Sequence, residues 1–251
     1  MEVVLYGALS TVWWISSLSI LLPLVILLKF SKTFRSKWFS WIFMNCLGPI
    51  FNPKLKPLRK RAFDILKEHL KDRQKDVPLE VLEIGIGGGA NLQYYPANSN
   101  LTALDMNESF ETYFNETKKK YPQITYKKMV TAMAEDMKDI EDSSMDVVVC
   151  TFVLCSVQNV QSALSEIKRV LKPGGKFLCL EHVAFPHSQW SYTIQRFVAP
   201  LWHLYFDGCF PDRDIAEEIR KKGFTDVVFE NVFPNSLTLF VRPQIVGIAT
   251  K

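Results

Sequence analysis

V-L-E-I-G-I-G-G-G-A-N-L-Q-Y-Y-P-A-N-S-N-L-T-A-L-D, residues 81–105, is the stretch on which the fold turns. Residues 81–84 form a short apolar run, the pattern of a buried parallel strand. They lead directly into Gly85, Gly87, Gly88 and Gly89, and a second apolar run, 101–104, ends on Asp105. Glycines let the backbone approach a bulky ligand, and an acid about 20 residues further on holds ribose hydroxyls. The stretch reads as a site for an adenosine-containing cofactor. Gly85-x-Gly87-x-x-Ala90 also satisfies the dinucleotide fingerprint. Against a dinucleotide, no basic residue stands near the would-be pyrophosphate, and Glu83 sits at the strand end. A carboxylate there repels phosphate and suits the sulfonium and amino group of S-adenosyl-L-methionine. The competing reading is a glycine-rich turn that binds nothing; the strand before it and Asp105 after it argue against that.

The 251 residues suffice for one α/β domain and a short extension, and 48% of them are hydrophobic, enough for a sizeable core. The net charge of +4 is unevenly spread. Residues 1–61 carry nine Lys/Arg against one acid, a balance of +8, which leaves −4 for residues 62–251. A mildly acidic globular part argues against a nucleic-acid partner. The cysteines, Cys46, Cys150, Cys155, Cys179 and Cys209, are odd in number and form no C-x-x-C pair. They read as reduced thiols in a cytosol-facing domain. His69, His182, His187 and His203 show no ligand spacing, so no metal site is expected.

Residues 3–28 carry no charge and are mostly Leu, Ile, Val and Trp. That exceeds the roughly 20 residues that cross a bilayer as a helix. There is no basic leader and no small-residue cleavage site, so a cleaved signal fits poorly. Lys29, Lys32, Arg35 and Lys37 follow at once, which puts the rest of the chain in the cytosol. Pro23 leaves open a bent insertion from one side. Residues 38–51, rich in Trp and Phe and flanked by lysines, are too short to span. They read as an interfacial segment, or else as an amphipathic helix packed on the domain. The charge run reads as a collar facing lipid headgroups. The expected division is 1–28 membrane anchor, 29–61 basic aromatic segment and 62–251 catalytic domain.

Beyond a polar-faced helix over 58–75, strand and helix patterns alternate. Strands are expected over 79–84, 101–105, 124–129, 145–151, 176–182, 225–231 and 244–249; helices over 107–120, 158–171 and 211–222. This alternation predicts an α/β fold, a seven-stranded, mostly parallel sheet with helices on both faces. Lys172-Pro173-Gly174-Gly175 ends a helix and turns into a strand. Ligands in such sheets bind beyond the carboxyl ends of the strands. Those ends carry Glu83, Asp105, Glu135-Asp136, Cys150-Thr151 and Glu181-His182.

Taken together, V-L-E-I-G-I-G-G-G, L-D at 104–105, A-E-D-M at 134–137, D-V-V-V-C-T at 146–151 and L-K-P-G-G-K-F at 171–177 resemble the class I S-adenosylmethionine-dependent methyltransferases, with their Rossmann-like sheet. S-M-D-V-V-V-C-T-F-V-L-C-S-V at 144–157, L-E-H-V at 180–183, W-H-L-Y-F-D-G-C at 202–209 and the C-terminal V-R-P-Q-I-V-G-I-A-T-K resemble the methyltransferase-like protein 7A/7B group. That group comprises membrane-anchored alkyl thiol S-methyltransferases of the endoplasmic reticulum and lipid droplets. The resemblance implies that Glu83, Gly85, Gly87 and Gly89 form the cofactor loop and Asp105 binds ribose. It implies that Glu135 and Asp136 are the pair whose second acid, or the adjacent backbone, meets the adenine, and that Cys150 and Thr151 lie at the strand end under the methyl group. One departure stands out: the group has G-C-G-T-G where this chain has G-I-G-G-G.

The resemblance further implies transfer of a methyl group to small lipophilic thiols, with a cytosol-facing domain and no obligate protein partner. A thiol acceptor asks little of the protein, because an alkyl thiol is a few per cent thiolate at neutral pH. His182 and His203 are the candidates for lowering its pKa, with Asp207 a weaker one; each histidine also reads as a structural residue. Cys155 invites a covalent reading, but no Pro-Cys loop precedes it. Trp190, Tyr192, Phe197, Trp202, Tyr205 and Phe206 read either as an apolar acceptor pocket or as packing against the sheet. The rival functions are methylation of a quinone or sterol, and a non-catalytic lipid-droplet protein.

Overall fold

A computed structural model describes residues 12, 15, 16, 19 and 22–251. Seven strands form one sheet: β1 Leu79–Ile84, β2 Ser99–Asp105, β3 Ile124–Thr131, β4 Met145–Thr151, β5 Leu171–His182, β6 Thr225–Val232 and β7 Gln244–Thr250. Their order is β3-β2-β1-β4-β5-β7-β6. All pairs are parallel except those of β7, which runs antiparallel to β5 and β6. Every expected strand is present, and β5 also takes in the Lys172-Pro173-Gly174-Gly175 turn.

Residues 22–30 are helical, and among the described residues the further α-helices are α1 Lys32–Ile42, α2 Gly48–His69, α3 Glu111–Lys118, α4 Val160–Val170, α5 Trp190–Tyr205 and α6 Ile215–Lys221. Alternation along the buried strands divides the core between the two faces. Val81, Val147 and Val149 pack with Leu58, Ala62, Phe63 and Leu66 of α2 on one face. Leu82, Ile84 and Val148 pack with Leu164 and Ile167 of α4 and Ile215 and Ile219 of α6 on the other. α5 has no counterpart among the expected helices. Its apolar residues cover more than one stripe, so a helical period is hidden in the sequence.

Residues 38–51 are helical and rest partly on the domain, with Trp41 and Ile50 left exposed. Ser31 caps α1 by accepting the Phe34 amide at 3.2 Å. α1 passes through a five-residue π-helical turn, Phe43–Leu47, into α2. Pro49, Pro53 and Pro57 recur every four residues, all exposed, so the gaps they leave in the hydrogen-bond ladder fall on the solvent side. Phe39 and Phe43 meet the ring of Phe110 edge-on at 6.0 and 6.2 Å. Among the described residues no helix is long and apolar enough to cross a membrane. The anchor expected over 1–28 lies mostly outside them.

Candidate active site

The strand order reverses between β1 and β4, and a cavity of about 380 Å³ opens at their carboxyl ends. Glu83, Gly85, Gly87, Asp105, Glu135 and Thr151 line it, along with Arg35, Arg59 and His203. A second cavity of about 140 Å³ adjoins it and is lined mostly by apolar side chains, among them Leu47, Leu55, Trp202 and Phe206. Phe39, Phe43, Arg59, Phe152 and Ser156 line both.

Asp105, at the end of β2, accepts the Gly87 amide on Oδ2 and the Asn107 amide on Oδ1, both at 2.9 Å. Each oxygen keeps a further lone pair for a hydroxyl donor. Burial pushes its carboxyl up to about 6. Glu83 is more enclosed: Tyr95 Oη donates to it at 2.6 Å and Asn91 Nδ2 at 2.8 Å. Burial pushes Glu83 up to about 7, against the opposing effect of those two bonds. Asn91 also donates to Thr151 Oγ1 at 3.0 Å, which ties the ends of β1 and β4 together.

The glycine loop answers to the N-terminal segment. A Cβ on Gly88 would overlap the Cε of Met44, the flexible end of that side chain. Asn107 Nδ2 donates to the Ser36 carbonyl at 3.0 Å, and Arg35 stands 3.6 Å from Asp207. The helical segment thus closes over the cavity.

Three expected site residues stand differently from the expectation. Asp136 does not line the cavity; it is exposed and paired with Lys138 at 2.9 Å. A turn that presents Glu135 inward turns its neighbour outward. Glu135 lines the cavity while its Oε1 accepts the Gln158 and Asn159 amides at 2.6 and 3.1 Å, which holds the start of α4. The Cys150 side chain is fully buried among core residues, because it points to the α4 face of the sheet. Gly89 is left out of the lining and turns the loop at φ +79°.

His182 and His203 are brought to different cavities. His203 lines the larger, its ring stacked on Phe210 at 4.1 Å and its buried Nδ1 without a partner. His182 lines the apolar one, stacked on Phe152 at 6.0 Å. Cys155 is buried, and burial pushes its thiol well above the ordinary value, which speaks against a nucleophilic thiolate there. Of the expected aromatics, Trp202 and Phe206 reach the apolar cavity, while Trp190 and Phe197 are exposed.

Two functional features escaped the sequence, and a further residue, Glu181, reads there only as a strand-end acid. Arg59 sits in the basic run expected to face headgroups, yet it is only 6% exposed, at the seam of the two cavities. Its Nη1 donates to Asn52 at 3.1 Å, its Nε has no partner, and burial lowers its pKa. Glu181, fully buried, accepts the Val153 and Leu154 amides at 2.7 and 2.9 Å. Those bonds hold Phe152 at φ +60°, a conformation that costs a non-glycine residue about 1–3 kcal/mol. The strain sets the Phe152 ring between the two cavities. Second, Cys155, His182 and Cys209 converge, although no ligand spacing connects them in the sequence.

A family profile described as "Methyltransferase domain" matches residues 82–179. The human protein "Thiol S-methyltransferase TMT1A" is 36% identical over 215 residues, 86% of each chain. The rat "Thiol S-methyltransferase TMT1B" is 39% identical over 198 residues, 79% of this chain and 80% of that protein. The fold is shared with a Haemonchus contortus phosphoethanolamine N-methyltransferase 2 solved with S-adenosylhomocysteine: TM-score 0.57 at 18% identity, over 76% of this chain and 52% of that one. Identity of this degree across most of both chains reaches beyond a common fold, and the chain belongs to the thiol S-methyltransferase family, with S-adenosylmethionine as its cofactor.

Proposed function

We propose that the protein transfers the methyl group of S-adenosylmethionine to the sulfur of small lipophilic alkyl thiols. The observation that carries this is the pair of adjoining cavities, one polar and acidic, the other apolar, with Phe152 between them. In the larger, Asp105 takes the ribose hydroxyls, Glu83 faces the cofactor's cationic end, and Arg59 offers its unspent donor to the cofactor carboxylate. The cofactor supplies an activated methyl. The chain supplies position and a small chamber that excludes water from the thiolate. His203, with Nδ1 unspent, is the candidate proton acceptor.

Labelled S-adenosylmethionine offered with an alkyl thiol, a phenol and a quinol tests this reading. Label is expected in the thiol. Transfer to the quinol alone would reverse the choice of acceptor. That rival is motivated by the "Ubiquinone/menaquinone biosynthesis C-methyltransferase UbiE" of Brucella anthropi, 33% identical over 150 residues, 57% of that protein. Transfer to nothing would remove the enzymatic reading.

Arg59→Met is expected to raise KM for S-adenosylmethionine by about 10–100-fold, the loss of one charge-assisted hydrogen bond of roughly 1.5–3 kcal/mol. Its kcat is expected to change less. An unchanged KM would assign Arg59 to packing.

The proposed setting is the endoplasmic reticulum membrane and lipid droplets, with the catalytic domain in the cytosol. Residues 1–28 act as anchor, 29–61 as a basic aromatic segment and 62–251 as the catalytic domain. The outward aromatics support this: Phe30, Trp41, Trp190 and Phe197 are exposed on or beside α1 and α5, helices that also wall the two cavities. The full chain is expected to stay with microsomes through alkaline carbonate; release into the supernatant would refute the anchor.

A further inference from the structure

Cys155, His182 and Cys209 come from the loop after β4, the last residue of β5 and the turn after α5. Their two Sγ atoms and a ring nitrogen all lie within 4.8 Å of one another. His182 Nε2 is 2.9 Å from Cys209 Sγ. All three are buried, and all three line the apolar chamber.

We propose that this cluster is a zinc site, with Cys155 Sγ, Cys209 Sγ and His182 Nε2 as ligands and a fourth position open to the chamber, where the acceptor thiol's sulfur binds. The three-residue site stands alone; the occupant of the fourth position rests on the thiol reading above. Two thiolates and an imidazole with one open position form a recognised zinc donor set. With Zn–S near 2.3 Å and Zn–N near 2.0–2.1 Å, tetrahedral ligand atoms stand about 3.5–3.8 Å apart; all three atoms lie within 4.8 Å, and His182 Nε2 and Cys209 Sγ, at 2.9 Å, move apart as the metal enters.

The frame is built to hold these positions. Glu181 fixes the amides just before Cys155, and Arg213 Nη1 donates to the Leu154 and Val157 carbonyls at 2.8 and 2.7 Å. The Phe210 amide donates to the Cys155 carbonyl at 2.9 Å, which locks the turn bearing Cys209 against it. Trp202 Nε1–H donates to Cys209 Sγ at 3.3 Å, the kind of outer bond that orients a ligand sulfur.

The thiols of Cys155 and Cys209 lose their protons to water as zinc binds. The acceptor enters as R–SH, its sulfur lone pair joins the metal, and its proton passes to His203 Nδ1. That sulfur then forms the new carbon–sulfur bond as the sulfonium's methyl–sulfur bond breaks, the electron pair staying on the cofactor sulfur. The neutral thioether is a weaker ligand than the thiolate and departs.

Elemental analysis of the full chain, purified in detergent with reductant and without a histidine tag, is expected to find about one zinc per chain. Cys209→Ser and His182→Asn are each expected to lower this at least about tenfold. Stabilisation by S-adenosylhomocysteine in a thermal melt identifies the variants that remain folded. The milder Trp202→Phe is expected to weaken metal affinity about 10–100-fold. In the wild-type chain, Co²⁺ exchange is expected to give tetrahedral d–d bands and thiolate charge transfer, and an added alkyl thiol shifts those bands. Wild type that methylates thiols with no zinc and no cobalt spectrum overturns the site alone, as does a Cys155–Cys209 disulfide in the active protein. A metal-loaded chain that methylates no thiol overturns the substrate reading alone.

Discussion

Asp105→Asn is expected to lower kcat/KM for S-adenosylmethionine by at least about 10²-fold, with the loss residing in cofactor binding. The carboxylate already accepts the Gly87 and Asn107 amides, and it is proposed to accept the ribose hydroxyls as well. An asparagine presents an NH2 group to one of those amides, donor against donor. It also forfeits at least one charged hydrogen bond to the ligand. Two interactions of roughly 1.5 kcal/mol each already amount to about 3 kcal/mol, which is about a hundredfold. Titration calorimetry with S-adenosylhomocysteine measures this directly. Binding within about threefold of wild type would remove Asp105 from the ribose site.

The same residue sets a pH dependence. Burial raises Asp105 to about 6 from 3.8 and Glu83 to about 7 from 4.5. Between those values the folded chain without cofactor holds protons that the unfolded chain has released. The stability these two groups contribute is therefore full below about pH 4 and is lost as pH rises through about 6 and 7. Cofactor affinity moves the opposite way, because ribose hydroxyls donate to a carboxylate. It is expected to weaken as pH falls below about 6, and Asp105→Asn is expected to flatten that slope. Calorimetry at pH 5, 6 and 8 reads it out; a wild-type profile as flat as the variant's would contradict the assignment.

Gly247→Ala is expected to destabilise the domain by about 3 kcal/mol or more. Gly247 lies mid-strand in β7, every residue of which is buried. A Cβ there would overlap the Val228 carbonyl oxygen and come within 2.8 Å of Phe229 Cα, both backbone atoms of β6. β6 crosses so closely because its register shifts between Thr225 and Val228, with Asp226 at φ +46°. Backbone cannot swing aside as a side chain would, so the substitution separates β6 from β7 or moves both. For a domain of this size, 3 kcal/mol corresponds to a fall of roughly 6–12 °C in the melting midpoint. A midpoint within about 2 °C of wild type would mean that the β6 bulge relaxes freely.

Much of this protein was legible in its sequence because the deciding signals are local. Seven strands were readable from short apolar runs bounded by turn residues, since strand periodicity depends only on neighbours along the chain. The glycine loop and Asp105 were readable because a strand, a tight turn and a second strand bring them together within 25 residues, whatever the rest of the chain does. The resemblance carried by these motifs pointed to the cofactor and the acceptor class together. Helix α5 was not legible: its apolar residues continue onto its exposed face, at Trp190, Ile194, Phe197 and Leu201, which blurs the amphipathic stripe that would betray it.

The arrangement of the catalytic chamber was decided elsewhere. Arg59 reads as one more cation in a basic run, and only the packing of α2 against the strand ends buries it between the cavities. Phe39 and Phe43 read as interfacial aromatics until Phe110, more than 60 residues on, supplies their partner. Asp136 and Glu135 are indistinguishable as letters, and a single turn of backbone sends one to solvent and the other to the cavity. Cys155, His182 and Cys209 are separated by 27 residues at each step, and two different connections, one through α4 and β5 and one through α5, return them to one point. The sequence by itself determined the sheet, the cofactor loop and the chemistry's class, because each is written in contiguous residues. Tertiary structure alone decided which charges are buried, what closes the site and which side chains meet, because those depend on where crossovers bring distant segments back.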